Sequence, residues 1–226
     1  FSDNMNQPLI KLHDIKKKYN NSSNHKVFSK IDLEINSGEL IAIKGTIGSG
    51  KTTLLNLISG LTKPDSGRIY IDIYDITSMK QNSLALLRAN IFGIVPQIHN
   101  LIPELTISQN LELPLIIKGI EKEKRIVIVR QSLEKLGIIN MSERLAGTLS
   151  VGESTVISIM RSMVTDPSIL LMDEPTEGLD PIIADMILSL IRGYSLLNNK
   201  TILITTHDNR ILSIADRIIQ VQQQIP

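Results

Sequence analysis

The octapeptide Gly45-Thr46-Ile47-Gly48-Ser49-Gly50-Lys51-Thr52 constrains the chain more than any other feature. It fits G-x-x-x-x-G-K-[ST], a loop that wraps phosphate when it lies between a strand and a helix. Both flanks are present. Leu40-Ile41-Ala42-Ile43 is a short apolar run that reads as a buried strand. Thr53 to Ile58 has helical spacing and stops at Gly60, a candidate C-cap. The glycines let backbone N–H groups close around phosphate oxygens without Cβ clashes. The helix N-terminus adds its partial positive charge. In such a loop Lys51 reaches β- and γ-phosphates, and the Thr52 hydroxyl is placed to ligate Mg²⁺. The plain alternative is a glycine turn before an amphipathic helix.

With 226 residues and 42% hydrophobic content, the chain can build one substantial core and a smaller subdomain. Basic and acidic residues number 24 and 23, a net charge of +1. That balance argues against a nucleic-acid surface, and Lys16-Lys17-Lys18 reads as a solvated strand end. Cysteine is absent, which excludes disulfides and thiolate metal sites and fits a reducing compartment. No apolar run approaches the about 18–20 residues that span a bilayer, and no leader pattern opens the sequence. The chain is therefore expected neither to cross nor to enter a membrane. Met5 reads as a natural start, and the end at Gln222–Pro226 as leaving no room for an appended regulatory domain.

Alternation of period two marks Leu9–Leu12, Ile31–Ile35 and Arg68–Ile73 as strands. Polar turns fall at Asn20–Asn24, Ser37-Gly38 and Pro64–Gly67. Residues from about 104 to 162 read as mostly helical, with a helix over Glu121–Leu136 closed by Gly137. The last third alternates: strand at Ile169–Met172, helix at Ile182–Ile191, strand at Thr201–Thr206, helix at Ile211–Ala215. This order predicts an α/β fold with a mostly parallel sheet, an N-terminal antiparallel β-subdomain and an inserted helical subdomain. Residues 1–226 form one domain on this reading, with 1–97 and 166–226 as the core and 98–165 as the insertion.

Three further segments carry chemistry. Ile169–Met172 delivers Asp173 and Glu174 to the end of a buried strand, the edge where parallel sheets bind nucleotides. There Asp173 can hold Mg²⁺ through water, and Glu174 can orient or deprotonate an attacking water. An acidic turn that exits at Pro175 is the alternative. Ser150 to Glu153 fits [ST]-x-x-[DE], a capping box opening the helix from Ser154 onward, and satisfies the local physics without a ligand. The same geometry makes a second phosphate site, separate from Lys51. His207 ends the strand Ile202–Thr206, as a functional group or as a surface residue.

Taken together, these residues resemble the nucleotide-binding domain of ATP-binding-cassette (ABC) ATPases, over about Pro8 to Ile219. Gly45–Thr52 is similar to Walker A, and Ile169–Asp173 to Walker B with Glu174 in the place of the catalytic glutamate. Gln97 resembles the Q-loop glutamine, Leu149–Glu153 the signature, Gly178-Leu179-Asp180 the D-loop and His207 the switch histidine. Tyr19 resembles the aromatic residue that stacks on adenine. Leu105-Thr106-Ile107, Asn110 and Leu113-Pro114-Leu115 resemble the ATPases of lipoprotein-release, macrolide-export and cell-division complexes.

The resemblance implies ATP and Mg²⁺ as ligands and a head-to-tail pair of domains, as homodimer or heterodimer, closing around two ATP molecules. Gly45, Thr46, Ile47, Gly48, Ser49, Gly50, Lys51, Thr52 and Thr53 would bind the phosphates. Thr52, Gln97 and Asp173 would arrange Mg²⁺. Ser150 and Gly152 of the opposite subunit would touch the γ-phosphate, Glu174 would polarise water and His207 would steady the γ-phosphate. An integral membrane permease would dock near Gln97 and the helical insertion, placing the chain peripherally on the cytoplasmic side of a membrane. A force-coupling or signalling ATPase on a membrane scaffold is an alternative. A soluble DNA-repair or translation ATPase is a further one, disfavoured by the short interval from Lys51 to Leu149 and the lack of cysteine. One departure stands out. Val151 replaces the usual first glycine of the signature, with Gly147-Thr148 before it and Thr155-Val156 after it. A β-branched residue there is expected to stiffen the loop and weaken the trans site.

Overall fold

The computed structural model describes residues 7–18, 26–197 and 200–222. The first part of the chain forms β1 (Ile10–Lys18), β2 (Lys26–Ile35), β3 (Leu40–Lys44), α1 (Lys51–Ile58), β4 (Ser66–Ile71), β5 (Tyr74–Asp75), α2 (Gln81–Ile91) and β6 (Phe92–Val95). Next come α3 (Ile107–Ile117), α4 (Lys122–Lys135) and α5 (Val151–Met163). The chain then alternates through β7 (Ile169–Asp173), α6 (Pro181–Ser195), β8 (Thr201–Thr205), α7 (Asn209–Ile214) and β9 (Arg217–Gln220). Strands β2-β1-β4-β5 make an antiparallel sheet, and β6-β7-β8-β3-β9 a parallel one. The expected fold class is the one observed.

The parallel sheet is covered on both faces, which is why its strands are apolar runs rather than alternations of apolar and polar residues. Its side chains divide by the period of two. Ile41, Ile43, Ile169, Leu171 and Leu203 join one core with α1 and the antiparallel sheet. Leu40, Leu170, Met172, Ile202 and Ile204 join a second core with α3, α5 and α6. The antiparallel sheet shows the contrasting pattern. β1 buries Ile10, Leu12 and Ile15 while Lys11 and His13 face outward or sit at the rim.

Helix ends follow local chemistry. Gly60, at φ +66°, follows α1 in the left-handed conformation that an L side chain rarely adopts. Thr106 caps α3 in a full capping box with Gln109. Asp180 accepts from the Ile182 and Ile183 N–H groups at 3.0 and 3.1 Å, with Pro181 in the first turn of α6.

Several elements depart from the sequence expectation. β6 and β9 are short strands whose apolar content is too brief to separate from loop. α2 has only one fully buried residue, Leu84, so it carries little periodic signal. α5 begins at Val151, before the expected Ser154, because Ser150 itself is the cap.

The close approach of α5 to β6 depends on one glycine. A Cβ on Gly93 would lie 2.4 Å from the Ser162 carbonyl oxygen and 2.8 Å from Leu170 Cδ1. The neighbour is backbone and cannot rotate away. Gly93→Ala is therefore expected to destabilise the fold by about 1–3 kcal/mol. That is a melting temperature lower by roughly 2–4 °C per kcal/mol. An unchanged melting curve would refute the close packing.

Candidate active site

β3, β7 and β8 end at one edge of the parallel sheet, and the loops leaving them line a cleft of about 520 Å³. Its walls are Thr46–Thr53, Gln97, Asp173, Glu174, Glu177 and His207. The loop after β3 passes through Gly48 at φ +77° and Gly50 at φ +98° before α1 begins. Both are conformations that favour glycine. Gly50 is the N-cap of α1 and offers no side-chain cap. The first N–H groups of the helix thus remain directed at the cleft. Ser49 Oγ is buried without a partner among the described residues and lies next to Gly45.

Lys51 lies at the centre, and its ammonium group is nearly buried. Nζ donates to the Gly45 carbonyl at 2.8 Å and reaches His207 Nε2 at 3.0 Å and Glu174 Oε1 at 3.4 Å. His207 Nε2 is also 3.4 Å from Glu174 Oε1. Both contacts of Nε2 cannot be hydrogen bonds to the neutral ring. With Lys51 the obligate donor, Nε2 accepts, and the proton of neutral His207 sits on Nδ1.

Asp173 is fixed from two sides. Thr52 Oγ1 donates to its Oδ2 at 2.7 Å, and Thr205 Oγ1 donates to its Oδ1. Thr205 Oγ1 also accepts the Glu174 N–H at 3.0 Å, and that N–H lies 3.1 Å from the Thr205 carbonyl. Glu174 itself has φ +47°. The other described non-glycine residues with positive φ are Asp14, Asp72 and Asp166, a type that tolerates this region. Glutamate does not tolerate it readily, and its bonds to Thr205 hold it there. Thr205 was not singled out from sequence. Only the parallel register that sets it opposite Asp173 reveals it. Glu177 was also missed. Its carboxylate accepts from Gln97 Nε2 at 2.8 Å.

The structure thus brings Thr46, Ile47, Gly48, Ser49, Gly50, Lys51, Thr52, Thr53, Gln97, Asp173, Glu174 and His207 to one cleft. Gly45 sits behind it, where a Cβ would lie 2.3 Å from the Val221 carbonyl oxygen. Tyr19 lies outside the described residues. Ser150 and Gly152 do not line this cleft. They begin α5, where the capping box is complete. Ser150 Oγ accepts the Glu153 N–H at 3.2 Å, and Glu153 Oε2 accepts the Ser150 N–H at 2.7 Å. Arg144, another residue that sequence reasoning passed over, forks onto the Glu153 carboxylate at 2.7 and 3.2 Å. Its guanidinium and the Ser150 N–H hold that carboxyl below the usual range. Gly152 packs on α6, where a Cβ would meet Ile183 Cδ1 at 2.3 Å. Val151 points to solvent and is 70% exposed. It does not crowd the loop within its own chain.

The family model described as ABC transporter matches residues 28–177. The chain belongs to the ABC transporter family. The macrolide export ATP-binding/permease protein MacB of Pasteurella multocida is 38% identical over 221 residues, covering 96% of this chain and 34% of that protein. The lipoprotein-releasing system ATP-binding protein LolD of Saccharophagus degradans is 33% identical over 219 residues, covering 96% of each. The chain therefore spans about a third of the first relative and nearly all of the second. Among solved structures, the ATP-binding cassette MJ0796, a dimer in a post-hydrolysis state with ADP and Pi, superposes with a TM-score of 0.88. It is 31% identical, covering 96% of this chain and 97% of that one. This ABC family chain thus matches relatives that carry the cassette alone and relatives that carry it beside a permease.

Because Ser150 and Glu153 make the cap and the Val151 side chain stands in solvent, Val151→Gly is expected to cost no more than about 1 kcal/mol. Thermal unfolding checks it. A much larger loss would mean that Val151 holds the helix start.

Proposed function

We propose that the chain is the ATP-hydrolysing subunit of a membrane transporter of the lipoprotein-release or macrolide-export type. The observation that carries the reading is the convergence of Lys51, Asp173, Glu174 and His207, from three separate segments, within hydrogen-bonding or ion-pairing reach of one another or of Thr52. Relatives named as ATP-binding proteins of export and release systems support the transport role.

In this reading the loop N–H groups and Lys51 bind the β- and γ-phosphates. A bound nucleotide draws Nζ off the Gly45 carbonyl, because a phosphate anion is the stronger partner. That movement leaves Glu174 to orient water for in-line attack and frees His207 to face the γ-phosphate. The Thr52 hydroxyl and the Asp173 carboxylate are adjacent hard oxygens, the donor set that suits Mg²⁺ when phosphates complete the shell. With Gln97 they would hold the ion, whose chemistry is to neutralise charge developing on the transferred group. Phosphoryl transfer asks chiefly for positioning and electrostatic stabilisation. A second cassette that offers Ser150 and Gly152 across the cleft therefore controls the rate. The Ser150 cap uses the hydroxyl oxygen as acceptor, which leaves its hydrogen as a donor to that phosphate.

The helical insertion, residues 98–165, and the Gln97 segment would receive a membrane permease. No described helix is long and apolar enough to cross a membrane. As the ATP-binding subunit of such a transporter, the chain would sit peripherally, on the cytoplasmic face, where ATP is available.

Lys51→Ala is expected to weaken ATP binding strongly by calorimetry, and unchanged affinity would remove the basis of the reading. Glu174→Gln is expected to keep ATP binding and slow hydrolysis by about 10²–10⁴-fold, as loss of a general base does. Near-normal turnover would exclude that role. Val151→Gly is expected to raise turnover at saturating ATP by exposing backbone to the partner's phosphate, and equal turnover would show the valine to be neutral.

A further inference from the structure

The segment that carries Gln97 is fastened to α5 near both ends of that helix. Near its C-terminal end, Arg161 Nη1 donates to the Asn100 carbonyl at 2.6 Å, beside the Gly93–Ser162 approach. Near its N-terminal end, His99 Nε2 meets Thr155 Oγ1 at 2.8 Å. The proton positions follow from Thr155. Its hydroxyl donates back to the Val151 carbonyl at 2.9 Å, so its oxygen accepts from His99 Nε2–H. His99 Nδ1 is then a bare acceptor, buried without a partner among the described residues. His99 Nε2 is thus a donor aimed at one hydroxyl, and Thr155 is 1% exposed.

This bond joins two parts of the proposed chemistry that the cleft itself does not join. His99 is two residues after Gln97, which lines the cleft. Thr155 lies one turn beyond Ser150, the cap of α5. The Val151 carbonyl, second acceptor in the chain of bonds, belongs to the first turn of the same helix. These bonds form a continuous path from the residues after Gln97 to the end of α5 that carries Ser150.

We propose that His99 is a positioning residue, which couples Gln97 to Ser150 through the Thr155 hydroxyl so that nucleotide bound in the cleft sets the orientation of the α5 N-terminus. This deepens the ATPase reading and rests on it. The coupling is short and uses a single hydroxyl. Removal of that hydroxyl should uncouple the two without disturbing Lys51, Thr52 or Asp173, which lie on other elements.

The test compares Thr155→Val, which removes the hydroxyl at nearly constant shape, with Thr155→Ser, which keeps it. His99→Leu and His99→Gln form the matching pair, since glutamine presents an N–H donor at similar reach. Backbone amide NMR shifts on addition of Mg²⁺-ATP are followed at residues 97–100 and 150–153, with ATP affinity and turnover in parallel. In the wild type both segments should respond. In Thr155→Val and His99→Leu the response at 150–153 should fall by at least half while that at 97–100 persists. ATP affinity should stay within about twofold, and turnover at saturating ATP should drop about fivefold, the effect of one hydrogen bond worth ~1 kcal/mol. Thr155→Ser and His99→Gln should recover both signals. The proposal is overturned if Thr155→Val responds like the wild type, or if Thr155→Ser is as impaired as Thr155→Val. A wild type that binds ATP without turnover would defeat the ATPase reading, while the shifts would still judge His99. A wild type that binds no ATP would defeat both.

Discussion

The parallel register of β7 with β8, which sets Asp173 opposite Thr205, is the constraint on which the cleft depends. Both strands end at that level. Thr205 can therefore donate to the Asp173 carboxylate and accept from the Glu174 N–H with one hydroxyl. A slip of one residue would turn Thr205 to the opposite face of the sheet. Asp173 would then lose one donor, and Glu174 one of the bonds that hold it at positive φ. His207, just beyond β8, would move away from Lys51 by the same slip. The register is in turn fixed by burial on both faces, since Leu170, Met172, Ile202 and Ile204 belong to one core and Leu171 and Leu203 to the other.

The second focus of the molecule, the start of α5, obeys a different logic. Nearly every group there has a local partner. Ser150, Glu153 and Arg144 satisfy one another, and Gly152 gives α6 its close approach. These contacts hold the helix end rigid while leaving a hydroxyl hydrogen and Val151 directed outward. A site completed by a second subunit needs this kind of preorganisation, because its affinity is lost if it must order on contact. The valine side chain stands in solvent, and the expectation that it stiffens its own loop is not what the packing displays. The helix already fixes the backbone there.

The glycine-rich octapeptide was legible because its conformation is local. Loop, cap and helix start are encoded within a few residues, and the glycines at φ +77° and +98° need no distant partner. The capping box at Ser150 was legible for the same reason. Strands β3, β7 and β8 declared themselves by apolar runs. Short elements with few buried residues, such as α2 and β9, left too little periodic signal. Family resemblance then supplied the order of the segments and the candidate roles.

Only the tertiary structure decided which of these segments meet and through which atoms. Thr205 contacts Asp173 across a parallel strand pair, Glu177 holds the Gln97 amide, Arg144 braces the capping box and His99 reaches the Thr155 hydroxyl. All but the Arg144 contact, which spans nine residues, join residues distant in sequence. A hydroxyl or an imidazole in a sequence looks the same whether it faces solvent or a carboxylate. The sequence by itself therefore determined the phosphate loop, the strand–helix alternation and the class of chemistry, which rest on local conformation and hydrophobic period. The direction of each polar side chain was settled by packing, because the partner that satisfies it is supplied by a distant part of the chain.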